Sequence, residues 1–254
     1  RVRSSAASDV YKRQVMAQQY FVLGIGGTGM RCIESLIHLC AMGMFDDTDI
    51  HLLALDTDKD NGNFARLKEV KEAYVKAKGT DASLRTALNE TFFSANINYY
   101  EFSPNYEVKS DFMSVFNYGD TKFNNPEQTA IADLVLTKNV ETFNLRHGYR
   151  AQTHLGSMMM YHSILEAARS NKNSELKTYL QKLIQVAQNG GARVFILGSV
   201  FGGTGASSIP IIPQAISKAA EIMSNGAVNI LNNAYFGSTL LTAYFNFKSP
   251  TGAE

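Results

Sequence analysis

Two short runs, Gly26-Gly27-Thr28-Gly29 and Gly202-Gly203-Thr204-Gly205, are the residues of this chain best suited to chemistry. Each follows an apolar stretch (Tyr20 to Gly24, Arg193 to Leu197) and precedes a segment that reads as helix. A glycine-rich turn from the end of a strand into a helix can take φ > 0 and lets a ligand approach the main chain closely. The helix beyond it offers unpaired N–H groups and the positive end of its dipole. A phosphate satisfies both. Each helix end contributes only ~1 kcal/mol, so a triphosphate needs several loops acting together. One G-x-G-x-x-G can serve tight strand–helix packing alone. Glycine is common at about 7% of residues, yet a chain of this length should carry a chance GGTG well under about 1% of the time. Two copies in the same setting therefore imply two loops aimed at one crevice.

Other chemistry is thinly represented. The five histidines (38, 51, 147, 154, 162) show no metal or acid–base spacing. The two cysteines, Cys32 and Cys40, fall eight positions apart on one expected helix. That is roughly 12 Å along the axis, beyond the ~7 Å limit for a disulfide, so they read as small core residues. A net charge of +1 lacks the basic stripe of a nucleic-acid binder. With 45% hydrophobic and 19% charged residues, and neither a membrane-length apolar run nor a signal peptide, the expected address is the cytoplasm, without direct membrane insertion.

The elements that must hold the loops follow from periodicity. Tyr20 to Gly24 reads as a buried parallel strand. Ile33, Leu36, Ile37 and Cys40 then recur at helical spacing, with Gly43 as the stop. Ile50 to Leu55 is a second strand ending in Asp56-Thr57-Asp58. Residues 59–128 turn polar and mixed, and read as an insertion, helical near 64–90 and irregular later, with Tyr99, Tyr100, Phe102 and Tyr106 as local core. A loop, Arg146 to Gly156, precedes a helix over Met158 to Ala168. A second amphipathic stripe runs from Leu176 to Ala187 and stops at Asn189-Gly-Gly191. After the second GGTG, helix is expected to resume at Ile209, capped by the preceding serines, with Pro210 in its first turn. A last strand is expected from Val228. Strands alternating with helices give an α/β fold: a doubly wound, mostly parallel, Rossmann-like sheet with helices on both faces.

Both ends look foreign to this pattern. Asp9 to Gln14 (DVYKRQ) matches a translated transposon end used in sequencing libraries, so residues 1–15 read as a non-native tail, or else a natural disordered one. Residues 16–254 form the domain, and the abrupt stop after the apolar stretch Ala234 to Phe247 suggests a missing C-terminal part.

The loops resemble those of the tubulin/FtsZ superfamily, and more closely those of bacterial tubulin-like proteins. The family signature is a small residue, G-G-T-G, Ser or Ala, then Gly. Gly202, Gly203, Thr204, Gly205 and Ala206 match it, while Phe201 and Ser207 depart at its ends. Gly24, Gly26, Gly27, Thr28 and Gly29 sit where the first family loop sits. Asp56-Thr57-Asp58 is similar to the second loop, with Asp56 in place of an asparagine, and Arg31 stands where the family has an amide. Gly148 and Arg150, in the stretch Gly148 to Gly156, correspond to the γ-phosphate-sensing loop. The resemblance implies GTP or GDP as ligand, with Mg²⁺ that Asp58 could assist through water, unless Asp58 only caps its turn. It also implies self-association into filaments and GTPase chemistry between protomers. The base-gripping helix and catalytic acids of the family lie beyond the residues present, so this stretch is expected to be inactive alone.

Two other readings compete. Gly24, Gly26 and Gly29, followed 27 residues later by Asp56, fit a Rossmann-type NAD(P)-binding oxidoreductase. A non-catalytic interaction module would keep the glycines for packing alone.

Overall fold

The computed structural model describes residues 19–45, 48–88, 92–116, 130, 133–149 and 152–242, with the backbone alone at 80–88 and 147. The proposed tail at 1–15, Arg150 and the stretch from 243 onward lie outside the described residues.

Five parallel strands form one sheet in the order β3-β2-β1-β4-β5. They are β1 (Gln19–Ile25), β2 (Asp49–Leu55), β3 (Asn96–Phe102), β4 (Ala192–Ser199) and β5 (Ala234–Leu241). The main helices are α1 (Gly26–Ala41), α2 (Asn63–Leu88), α3 (Thr153–Arg169), α4 (Glu175–Gln188), α5 (Gly203–Ser208) and α6 (Ile212–Met223). Strand order grows from β1 to β3 one way, then restarts on the other flank with β4. A constant crossover hand then requires helices on opposite faces before and after that switch. Accordingly α1 and α2 cover one face and α3, α4 and α6 the other.

β1 is central, so both of its faces are buried: Phe21, Leu23 and Ile25 point into one core and Val22 into the other. This is why it reads as a continuous apolar run rather than an alternating one. On α1, Ile33, Ile37 and Cys40 are buried as the periodicity requires, and Gly43 (φ +83°) follows the helix end. Both cysteines are free thiols, and burial pushes the Cys40 thiol up to about 11.

Four expectations need correction. Residues 96–102, expected within an irregular insertion, form β3 and pair with β2 along its length. β3 is an edge strand with a partly exposed surface, so it never needed a buried apolar run. The loop at 146–156 is shorter than expected, because α3 already begins at Thr153. Helix begins at Gly203 rather than Ile209, with Gly202 as N-cap. Ser207 and Ser208 are therefore the last residues of α5 rather than caps at a helix start, and Pro210 sits in the turn between α5 and α6, where its missing N–H ends the first helix. The last strand starts at Ala234, after a short helical turn at Ile230–Asn233.

His51 lies in an aromatic row on the α4 face. Its ring stacks on Phe21 at 4.7 Å and faces Tyr100 at 6.2 Å, with Tyr179 edge-on to the latter two. Nε2 meets Gln19 Oε1 at 3.2 Å, while Nδ1 has no hydrogen-bond partner among the described residues. Burial pushes its pKa below the ordinary value; Asp49 opposes that shift and Lys182 adds to it. The folded chain thus binds this proton less readily than the unfolded chain. Its stability contribution is complete above the ordinary histidine value of ~6.5 and is lost as pH falls from there through the lower value of the folded chain. His51→Phe should flatten melting temperature against pH in that window; half-buried His162, whose pKa burial lowers in the same direction, contributes to the dependence that remains.

Candidate functional site

β1 and β4 are direct neighbours, in register from Gln19–Ala192 to Gly24–Leu197. Both glycine loops therefore leave the same edge of the sheet, at the C-terminal ends of its strands and at the point where strand order switches. That is where open α/β sheets leave a crevice. The crevice here is a cavity of about 270 Å³ lined by Gly26, Gly27 and Thr28 from the first loop, Gly202 to Gly205 from the second, and Asp56, Thr57, Asp58 and Gly148.

Gly26 makes the entry into α1. Its φ of +68° turns the chain out of β1, a conformation that a side chain resists. A Cβ there would sit 3.7 Å from both the Gly205 nitrogen and Thr204 Cβ, so the two loops touch at this residue. Gly203 does not share that requirement, since Gly26 and Gly148 are the crevice glycines at positive φ. Other glycines act by packing. A Cβ on Gly24 would stand 2.7 Å from the Gly29 carbonyl oxygen, and one on Gly29 2.5 Å from that of Leu197. They let α1 lie against β1 and β4, and neither lines the cavity.

Neither α1 nor α5 has a side-chain cap at its N-terminus. The first-turn N–H groups of a helix have no partner within it, so two uncapped turns open on one cavity.

Asp56 ties the loops together. It is 4% exposed. Its Oδ1 accepts from the Thr57 nitrogen at 2.8 Å and from Thr204 Oγ1 at 3.0 Å, across 148 residues of sequence. Its Oδ2 accepts from Asn61 Nδ2 at 3.1 Å. Thr57 Oγ1 lies 3.1 Å from Thr204 Oγ1. Burial pushes the Asp56 carboxyl above its ordinary value, and the bonds from Asn61, Thr204 and the Thr57 and Asp58 nitrogens oppose the shift. Asp58 Oδ1 accepts from the Asp60 nitrogen at 3.0 Å and so caps the next turn.

The remaining sequence-derived residues are placed less directly. Arg31 is exposed on α1, and neither it nor Ala206 or Ser207 lines the cavity. Ser207 is buried, donating to the Gly203 carbonyl, while its own carbonyl accepts from Ser157 Oγ of α3. Five lining residues were missed as site residues: Ile25, Thr57, Asn61, Tyr149 and Ser199. Tyr149 follows Gly148 directly and was legible only as part of that loop. Asn61 carries no motif at all. The described residues bring together no group of three His, Cys, Asp or Glu fit for a metal ion. No described helix is long and apolar enough to cross a membrane.

A larger cleft of about 780 Å³ opens at the opposite edge of the sheet, near Gln19, Asp49 and Asn96. Its Lys78 is already spent on the Ser94 and Ala95 carbonyls and Asn96 Oδ1.

Comparison with protein-family models, curated proteins and solved structures gives no match to this chain.

Proposed function

We propose that this chain binds the phosphates of a nucleotide, GTP or GDP, as the phosphate-holding part of a tubulin/FtsZ-like protein. One observation carries the reading: two uncapped glycine-led helix N-termini, from sequence-distant loops, line a single crevice. The cavity of about 270 Å³ has room for a phosphate chain. That fits a domain which grips the phosphates and takes the base elsewhere. On this reading Mg²⁺ arrives with the phosphates, as their counter-ion.

Asp56 bears on the dinucleotide alternative. A ribose-binding acid at the end of the second strand must offer free carboxylate oxygens to two sugar hydroxyls. Here both oxygens are engaged and the residue is buried. Calorimetric titration with GDP, GTP and NAD tests the choice. GDP and GTP should bind at least about tenfold more tightly than NAD, a margin of ~1.4 kcal/mol. Preference for NAD would reinstate the oxidoreductase reading, and no binding of any of the three would leave the packing module. In a longer chain that includes the family's catalytic loop, turnover should rise more than linearly with protein concentration, because each site is completed by a neighbour in a filament. Strict proportionality would contradict the filament mechanism.

A further inference from the structure

We propose that Asp56 takes up a proton when a phosphate group enters the crevice, reversing a chain of two threonine hydroxyls so that they donate to the ligand. The proposal rests on the phosphate-binding reading and adds a proton to its ligand stoichiometry.

The direction of the chain in the empty site follows from proton counting. An ionised carboxylate only accepts. Thr204 Oγ1, at 3.0 Å from Asp56 Oδ1, must therefore donate to it. A hydroxyl has one proton, so in the 3.1 Å contact with Thr57 Oγ1 the donor is Thr57. The chain runs Thr57 to Thr204 to Asp56, and both protons point inward. Two hydroxyls that line a cavity suited to an anion thus offer it lone pairs only.

The charges around Asp56 sharpen the conflict. Asp58, beside it in the chain, is a second carboxylate on the cavity wall, and Tyr149 is the titratable group facing from the Gly148 loop. From α1 the wall is Gly26, Gly27 and Thr28, and from the α5 loop Gly202 to Gly205, none of them titratable. Among the described lining residues there is no Lys, Arg or His. Among the described residues, then, no side-chain cation lines the crevice to offset the buried negative charge that a phosphate would meet.

One proton from solvent resolves both problems. Placed on Asp56 Oδ1, it neutralises the carboxylate and donates to Thr204 Oγ1, while Asp56 Oδ1 still accepts from the Thr57 nitrogen. Thr204 then turns its own proton toward Thr57 or the phosphate, and Thr57 is free to donate outward. No bond other than O–H is made or broken. Burial already disposes Asp56 toward the protonated form.

The test is calorimetry of GDP binding to this chain near pH ~8, where the phosphates, with a second pKa of about 6, are fully ionised. Running it in two buffers of different ionisation enthalpy counts the protons taken up. The proposal expects uptake of a large fraction of one proton per GDP. It also expects affinity to fall by up to about tenfold per pH unit as pH rises. Asp56→Asn should bind GDP with no uptake and a flat pH profile. Should that variant fail to fold, the Asp56 carboxyl carbon signal of the ¹³C-labelled parent, followed by NMR, should move from the ionised to the protonated position as GDP is added. Binding by the parent chain without uptake, uptake unchanged in Asp56→Asn, or an Asp56 signal that stays at the ionised position overturns the proton-coupled mechanism and leaves phosphate binding standing. Absence of GDP binding by the parent removes both.

Discussion

Gly205→Ala should melt about 6–12 °C below the parent chain, with or without ligand. A Cβ on Gly205 would stand 2.2 Å from the carbonyl oxygen of Ser199, the last residue of β4. A main-chain oxygen cannot rotate aside as a side chain can, so relief requires α5 to lift off the strand. Overpacking of this kind costs ~1–3 kcal/mol, occasionally more. The cost here should lie at the upper end, and a chain of this size loses about 2–4 °C per kcal/mol. Gly202→Ala is the paired control. Its Cβ would meet nothing within 4 Å, and its φ of −101° suits any residue. Its stability should change by no more than about 1 kcal/mol, the usual size of an N-cap effect, while the methyl group intrudes on the crevice and weakens phosphate binding. Thermal melts and GDP titrations of the two variants separate packing from ligand contact. Equal melting temperatures would contradict the packing role of Gly205.

Thr204→Val should destabilise the empty chain by about 1.5–3 kcal/mol, the range for a hydrogen bond to a charged group. Valine keeps the shape but removes the donor to a buried carboxylate and the acceptor of the Thr57 hydroxyl. The sequence shows this hydroxyl only as part of the second glycine loop. In the structure it is spent on Asp56, so the loss should register before any ligand is added. Denaturant unfolding measures it, and a variant as stable as the parent would contradict the hydroxyl chain.

Much of this architecture was legible in the residues. β1 is buried on both faces and so announces itself as an apolar run, and β4, though exposed at Arg193 and Phe195, is apolar from Val194 to Leu197. Two GGTG loops after those strands already implied a common edge, and the β1–β4 pairing puts them there. β3 was not legible because an edge strand with Asn96, Asn98 and Glu101 in it has no apolar signature. The helix start at Gly203 was hidden for a different reason. Glycine and serine have poor helix propensity, and only docking against β1, β4 and α3 makes that turn helical. The link between Asp56 and Thr204 joins residues 148 apart, and no local pattern encodes it. Composition likewise could not separate Gly24 and Gly29, which admit close packing, from Gly26, which faces the crevice.

A shared phosphate site requires that one ligand be held by both loops. Amide-resolved NMR of the ¹⁵N-labelled chain, titrated with GDP, observes that directly. The N–H signals of Gly26, Gly27 and Thr28 and those of Gly203, Thr204 and Gly205 should shift together along one binding curve, with a common dissociation constant. Shifts confined to the first loop, or two loops titrating with different constants, would contradict a shared phosphate site.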